Sequence, residues 1–461
     1  MRYRPGRRAG VAAPLSSIEA TGGEHSSTSI SMLMHWAWSP LGLLLMIPVP
    51  ALVGSLAIPD QDFRQMWGQP SFLTSDFALA IVLVTLVIAL VFALAAPLYV
   101  GSTRVTLTSA QVSWINHAVI IIATITFAAY GAWILLGVAR GLTPSVLISA
   151  LNGEFGVMST IKNRLLAPVS GITTWMHLGV LLGPLIILRR RTSARSGYPL
   201  LTALFALAVF RAFFFSERLA IVELVASTLI ASLILRDRAP RLVATVPRTI
   251  ATFVLAWGAL LIFFAILEYN RSWANYYAAR GDGDIVSFSW NRLLGYYATA
   301  VNNGVLFGEA APPDLNFASL IPGISELPLV SGSSRFRQYE QLLEQSSNPE
   351  FNNISGLAVP LASLGVWGGA VFLCVLAVTV VVIAGQVRRG GIPGMLIYCV
   401  IAVGILELTR IYYFSSTRFL VIVLGLGVLW LTYPRRATRS RRVGTRVGAR
   451  PRPTRDGLRA R

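Results

Sequence analysis

The chain has 461 residues, of which 54% are hydrophobic and only 13% are charged, and this balance excludes an ordinary soluble globular protein. Its formal net charge is +19 at pH 7, but the basic residues form no soluble module of basic and aromatic side chains, so we predict no nucleic-acid partner. Apolar runs of about 20 residues, the length that a helix needs to cross a bilayer, recur along the chain. We therefore predict an all-α integral membrane protein.

Ten apolar runs are predicted to be transmembrane helices. Residues 1–34 precede them as a polar and basic tail, and residues 434–461 follow them as an arginine-rich tail. The first seven spans lie within residues 35–268 and the last three within residues 357–433. Their predicted ranges are 39–58, 77–99, 116–138, 171–188, 198–214, 218–235, 249–268, 357–384, 393–409 and 418–433.

The distribution of basic residues predicts the orientation of the chain. Most of the 39 basic residues fall in segments that become cytoplasmic if both termini are inside, as the positive-inside rule requires. We therefore expect a multi-pass protein of the bacterial cytoplasmic (inner) membrane with both termini in the cytoplasm. Residues 269–356, between spans seven and eight, are then external, and their content of Trp, Tyr and Phe predicts a folded, partly helical loop.

The stretch RAFFFSERLAIVE, residues 211–223, places two arginines and two glutamates inside an apolar run that covers residues 198–235. As one helix, this run would measure about 57 Å, whereas the hydrocarbon core is about 30 Å thick. Basic segments flank it on both sides, which demands an even number of crossings. The run therefore predicts a helical hairpin with its turn near Phe215 and Ser216.

The charged groups of this turn must face protein or water, because a charge is costly inside the bilayer. Arg211 and Arg218 have no carboxylate three or four positions away, where helix neighbours meet, so local ion pairing is poor. In one interpretation Arg211 snorkels to the interface, and Glu217, Arg218 and Glu223 pair among themselves to stabilise the turn. In the other interpretation the turn is a pocket for an external anion.

Further arginines are predicted on the same side of the membrane. Arg410 and Arg418 bracket the turn TRIYYFSSTR between spans nine and ten, and Arg271 follows span seven. Arginine suits phosphate, because its planar fork makes paired, charge-assisted hydrogen bonds and stays protonated. We therefore expect these arginines to line one external cavity.

Within the external loop, WNRLLGYYATAVNNG at residues 290–304 predicts an amphipathic helix. Arg292 and Tyr296 lie four positions apart and should share one face of it. The rings of Tyr296 and Tyr297 are candidates to contact a substrate, since an aromatic face can stack on a sugar ring. Aromatic belts at membrane interfaces explain such residues about as often.

The sequence predicts neither a metal site nor a cofactor. Two Asp-x-Asp tripeptides, at residues 60–62 and 282–284, are weak signals on their own. The four histidines lie in different segments without metal-ligand spacing, and there is no P-loop or nucleotide-binding glycine motif. ATP hydrolysis and zinc chemistry are therefore not expected.

Three stretches resemble the Wzy-type oligosaccharide repeat-unit polymerases, also called O-antigen polymerases. FRAFFFSERLAIVEL resembles the arginine-bearing turn of that family, and RLLGYYATAVNNG resembles its external Arg-x-x-x-Tyr helix. FNNISGLAVPLASLGVWGGAVF, residues 351–372, resembles its Asn/Ser segment that leads into a Gly-x-x-Gly span. Glu217 departs from the pattern, because a small residue is common at that place in the family.

The resemblance implies a metal-independent glycosyltransferase of the GT-C membrane class. Such an enzyme would transfer a growing glycan from undecaprenyl pyrophosphate to another lipid-linked repeat unit outside the cytoplasm. The implied partners are the undecaprenyl-pyrophosphate-linked oligosaccharide, the lipid bilayer, a flippase and a chain-length regulator. The leaving pyrophosphate needs cations, and the candidates are Arg211, Arg218, Arg271, Arg292, Arg410 and Arg418. The acceptor hydroxyl needs a carboxylate base, and the candidates are Glu217, Glu223, Asp282, Asp314 and Glu326.

Two other classes of function remain open from the sequence. An O-antigen ligase or another GT-C enzyme that uses polyprenyl-linked sugars would need a similar anion site. A lipid-linked glycan flippase or a secondary transporter would also line a cavity with arginine, but such proteins usually show internal repeats, and we see none here.

Overall fold

A computed structural model of the chain describes residues 28–154, 156–193, 197–215, 217–240, 243, 245–269, 273, 277–278, 283–313, 320 and 334–434. The protein is mostly helical, at 78%. By length and composition, four described helices qualify as membrane spans, and a sharply bent pair of segments within residues 40–67 would make a fifth. This architecture is that of an all-α membrane protein. The count of ten spans and the GT-C arrangement stay predictions.

The first described element is a strand that the sequence analysis did not predict. Strand β1, Thr28–Met34, pairs with strand β2, Gly101–Leu107, as an antiparallel two-stranded sheet in which Thr28 lies opposite Leu107. Ile30, Met32 and Met34 alternate along β1 and are buried against the helices. Residues 28–34 of the predicted polar tail are thus part of the folded body.

The first predicted span is broken. Helix α1, Pro40–Met46, and helix α2, Pro48–Leu56, meet at Ile47, because Pro48 begins the second helix and removes a hydrogen-bond donor. Helix α3, Asp60–Trp67, then turns away at 106° from this pair.

Two long helices follow and match predicted spans two and three. Helix α4 is Ser75–Tyr99 and helix α5 is Ser109–Ala139. Each begins at a threonine whose hydroxyl accepts a hydrogen bond from a backbone N–H of the first turn, namely Thr74 and Thr108.

Short helices connect these spans to the next. Helix α6, Pro144–Leu151, and helix α7, Val157–Thr160, lie between predicted spans three and four. A 3-10 helix, Thr173–Leu178, leads directly into helix α8, Gly179–Thr192.

The predicted hairpin is confirmed. Helix α9, Tyr198–Phe214, and helix α10, Leu219–Ile234, are two short apolar helices that pack together on either side of a turn. Helix α11, Val246–Glu268, is one of the four described helices that are long and apolar enough to cross a membrane.

The segment predicted as an external loop contains the helix expected from WNRLLGYYATAVNNG. Helix α12, Ile285–Glu309, packs against α2, and helix α13, Ser334–Ser346, packs against α12. Much of α12 is buried, so this segment is an integral part of the folded body rather than a separate outer layer.

Three apolar helices complete the described chain. Helix α14, Ala358–Arg388, is interrupted at Gly365, whose φ of 74° lies in the left-handed region that glycine adopts readily. Helix α15, Ile392–Leu406, is followed by a 3-10 turn, Tyr413–Ser415, and by helix α16, Thr417–Thr432. The last two helices are short and coincide with predicted spans nine and ten.

Candidate functional site

Arginines and glutamates gather where several helices end. The carboxyl ends of α9, α11 and α15 and the amino ends of α10 and α16 all contribute. The arginines with glutamate partners are Arg211, Arg218, Arg292, Arg410 and Arg418. Their partners are Glu217, Glu223, Glu268, Glu350 and Glu407. Among the residues of this cluster that the structure describes, the opposite charges are equal in number and balance one another.

The first group is centred on Glu217, in the turn of the hairpin. One carboxylate oxygen of Glu217 forms an ion pair with Arg211, at the end of α9, and the other forms an ion pair with Arg418. Arg418 Nη1 also lies 3.6 Å from Glu223 Oε1. A cation in the first turn of a helix is disfavoured by the helix dipole, so Arg418 is not placed there to stabilise α16.

This first group lines an open cavity of about 370 Å³. Arg211, Glu217 and Arg418 form its charged wall, and exposed residues such as Ser170 and Thr417 border it, so that it communicates with the surface. We call this space the arginine cavity. It has room for a group larger than the carboxylate that now bridges the two guanidiniums.

His177 is a neighbour of Arg211 that the sequence analysis did not select. Its Nε2 atom lies 3.4 Å from Arg211 Nη2, and its ring also lines the arginine cavity. A guanidinium only donates hydrogen bonds, so Nε2 must be the acceptor and the imidazole is neutral with its proton on Nδ1. His177 thereby orients Arg211.

The second group is centred on Glu268, the last residue of α11, whose side chain is fully buried. Arg218 forms an ion pair with one carboxylate oxygen, and Arg292 Nε lies 3.3 Å from the other. Arg292 Nη1 also lies 2.8 Å from Glu350 Oε2, and the Arg218 guanidinium sits 4.4 Å from the centre of the Phe264 ring. Glu268 and Arg292 are enclosed by protein, whereas the Glu350 side chain is half exposed.

The third group is a local pair. Arg410 Nε lies 2.6 Å from Glu407 Oε2, three positions earlier, just after the end of α15. The two arginines of the turn TRIYYFSSTR therefore have different surroundings, because Arg418 faces the arginine cavity and Arg410 does not line it.

The aromatic residues of α12 differ in their accessibility. Arg292 and Tyr296 share a face as predicted, since both contact Phe351. The Arg292 Cζ atom lies 5.3 Å from the centre of the Phe351 ring, and the centre of the Tyr296 ring lies 5.2 Å from it. Tyr297 is buried in an apolar cluster with its ring 6.0 Å from that of Trp257. The Tyr297 ring thus packs inward in this structure, and its contact with a substrate stays a prediction.

Tyr277 joins the second group from the loop before α12. Its hydroxyl donates a hydrogen bond to Glu350 Oε2 at 3.3 Å. Burial, and then the negative charge of Glu350, raise the pKa of the Tyr277 phenol above its ordinary value. The phenol is thus a donor that fixes the Glu350 carboxylate beside Arg292.

The structure brings together most of the predicted charged residues, but not all of them are described. Arg271, Asp282, Asp314 and Glu326 lie outside the described residues. Sequence reasoning missed His177, Glu268 and Glu350. Glu268 carried a usable signal, because it is a carboxylate at the end of a strongly apolar helix.

Among the described residues, no three His, Cys, Asp or Glu side chains are arranged as metal ligands. No protein-family model, curated protein or solved structure matches the chain.

Proposed function

We propose that the protein is a membrane glycosyltransferase that joins lipid-linked oligosaccharide repeat units, as its resemblance to the O-antigen polymerases suggests. It transfers the growing glycan from undecaprenyl pyrophosphate to a hydroxyl of the next lipid-linked unit, at the outer face of the bacterial cytoplasmic membrane. The observation that carries this proposal is the arginine cavity, where Arg211 and Arg418 converge on Glu217 at the ends of apolar helices.

The two converging guanidiniums suit a pyrophosphate. A pyrophosphate carries more negative charge than a carboxylate and offers more acceptor oxygens, so it competes with Glu217 for Arg211 and Arg418. As the bond between the sugar and the pyrophosphate oxygen breaks, negative charge develops on the leaving group. Cations already held in place by the fold stabilise that charge, which is often the largest single contribution to catalysis.

Glu217 is the best placed of the candidate bases that the structure describes. It lines the arginine cavity, whereas Glu223 is only 1% exposed and lies beyond Arg418. When the pyrophosphate engages the arginines, Glu217 is released to accept the proton of the acceptor hydroxyl. The hydroxyl oxygen forms the new glycosidic bond, and the electron pair of the broken bond leaves with the pyrophosphate.

The second group has a supporting role in this proposal. Arg218 and Arg292 share the enclosed Glu268 carboxylate and do not line the arginine cavity. We therefore assign to them the positioning of the hairpin turn against α11 and α12, and not direct contact with pyrophosphate.

The glycans of a strain that lacks the gene test this proposal against the alternatives. A polymerase predicts accumulation of single lipid-linked repeat units that an external glycosidase can reach, and restoration of polymer by the wild-type gene. Full-length, unligated chains would indicate a ligase instead. Single units that stay inaccessible from outside would indicate a flippase or another transporter.

A further inference from the structure

A second cavity, of about 430 Å³, lies between α13 and the segment that leads into α14. We call it the α13 cavity. The side chains that matter here are Tyr339, Glu340, Glu344, Asn352, Asn353 and Tyr412. It therefore combines aromatic rings, carboxylates and amides, while the arginines of the first cavity do not line it.

The carboxylates and side-chain amides of the α13 cavity are available to a ligand. Its two glutamates and two asparagines make no side-chain hydrogen bond or ion pair with any residue that the structure describes. The segment that carries the two asparagines is held in place through its main-chain carbonyls, which accept hydrogen bonds from other residues. Tyr339 donates from its hydroxyl to the Asn352 carbonyl at 3.1 Å, and Asn303 donates from its amide to the Asn353 carbonyl at 3.0 Å.

This set of groups has the chemistry of a carbohydrate site. Amides and carboxylates bind the hydroxyls of a sugar, whereas the rings of Tyr339 and Tyr412 are largely buried and form part of the cavity wall. Glu340 and Glu344 lie four positions apart on one face of α13 and line the cavity, whereas Arg335 and Arg337 of the same helix do not line it. Such a site repels phosphate and carboxylate groups and attracts a protonated amine.

We propose that the α13 cavity binds the glycan of the substrate, and that it accepts neutral sugars and amino sugars but rejects acidic ones. The assignment of this glycan to a lipid-linked substrate rests on the proposed function. The two cavities then bind different parts of the substrate, since the arginines of one bind the pyrophosphate and the glutamates of the other bind the sugars.

The short chain separation between the two cavities supports this division. Ile411 and Tyr412 line the α13 cavity, while Thr417 and Arg418 line the arginine cavity. Thr417 follows Tyr412 by five positions, so their Cα atoms are at most roughly 18 Å apart even if the chain is fully extended. A short oligosaccharide can span that distance from a pyrophosphate at Arg418.

Saturation-transfer NMR on the full-length protein in detergent tests the site without any transfer reaction. The probes are maltotetraose as a neutral sugar, a glucosamine tetramer as an amino sugar and tetragalacturonate as an acidic sugar. We expect the amino sugar to bind most tightly, the neutral sugar to bind, and the acidic sugar not to bind. Binding of none of the three, or equal binding of the acidic sugar, would overturn the proposal.

Two sets of variants locate the binding. Asn352→Ala combined with Asn353→Ala keeps the main-chain hydrogen bonds that hold the wall, so the fold should persist while the neutral sugar binds on the order of tenfold more weakly. Unchanged affinity in this variant contradicts the site.

Glu340→Gln combined with Glu344→Gln should remove the preference for the amino sugar, whereas Glu309→Gln at the exposed end of α12 should keep it. A preference that survives the double substitution contradicts the charge argument. Arg211→Lys should retain sugar binding, because Arg211 does not line the α13 cavity. Sugar binding by the wild-type protein, together with normal glycans in a strain that lacks the gene, would refute the proposed function and leave the glycan site standing.

Discussion

Arg218 forms an ion pair with Glu268, fifty positions further along the chain, and not with a carboxylate of its own turn. Arg211, on the other leg of the same hairpin, forms an ion pair with Glu217. The two arginines thus belong to separate groups, of which one lines an open cavity and the other is enclosed. The same substitution should therefore have different effects at the two positions.

Arg211→Lys is expected to impair glycan transfer while the protein still inserts into the membrane. Lysine keeps the positive charge but loses the planar fork that contacts an anion and Glu217 together. Loss of one preorganised donor lowers a rate by about 10²- to 10³-fold. The measurement is polymer length on a gel, normalised to the amount of membrane-inserted protein.

The matched control for this variant is Arg64→Lys, which alters an exposed arginine of α3 outside the charged cluster. It should give the wild-type ladder. A wild-type ladder from Arg211→Lys as well would show that Arg211 needs only its charge, as a snorkelling arginine would.

Glu268→Gln is expected to destabilise the fold. It leaves Arg218 without its carboxylate partner in an enclosed site, and removing one partner of a buried ion pair costs about 3–5 kcal/mol. The measurement is the thermal unfolding midpoint of the detergent-purified protein, with Glu309→Gln as the exposed control.

A second substitution shows whether the loss of stability comes from breaking the ion pair between Arg218 and Glu268. Arg218→Met added to Glu268→Gln should recover part of the stability, because the guanidinium that faced the carboxylate is then removed together with it, and Arg292 keeps Glu350. If Glu268→Gln unfolds at the wild-type midpoint, the enclosed group does not support the hairpin turn.

Glu217→Gln is expected to separate anion binding from transfer. The carboxylate now occupies both Arg211 and Arg418, so a neutral amide in its place should let inorganic pyrophosphate bind more tightly. Transfer should fall by about 10²- to 10⁴-fold, because the proton acceptor is lost. Calorimetric titration of the purified protein with pyrophosphate and the gel assay measure the two effects.

These two readouts distinguish a catalytic role of Glu217 from a purely structural one. An ion pair that only holds the turn together would give weaker pyrophosphate binding in Glu217→Gln, since the arginines would lose their anchor. Tighter binding together with normal transfer would mean that another carboxylate is the base.

Gln341→Cys tests the orientation of the chain. Gln341 is exposed on α13, which lies in the segment predicted to be external. In a background with Cys374→Ala, the remaining native Cys399 is buried, so an impermeant thiol reagent should label only the new cysteine in intact cells. Labelling that requires lysis would place α13 and both cavities on the cytoplasmic side.

Much of the helical framework could be predicted because its signals are local. These signals are properties of neighbouring residues: the apolar runs, the basic flanks of the hairpin and the spacing of Arg292 and Tyr296. Helices α9, α10 and α12 lie where the signals predict them. The pairing of β1 with β2 was missed, because it joins segments about seventy positions apart through backbone hydrogen bonds that leave little trace in composition.

The sequence by itself determined that charged residues sit at the ends of apolar helices and must face protein or water, because no apolar medium tolerates them unpaired. Only the tertiary structure decided the partners. Arg218 reaches Glu268, and Arg418 reaches Glu217 across about two hundred positions, because helix packing brings distant helix ends together. The inward direction of Tyr297 was decided in the same way, since the packing of α12 against its neighbours determines which face of an aromatic-rich helix is buried.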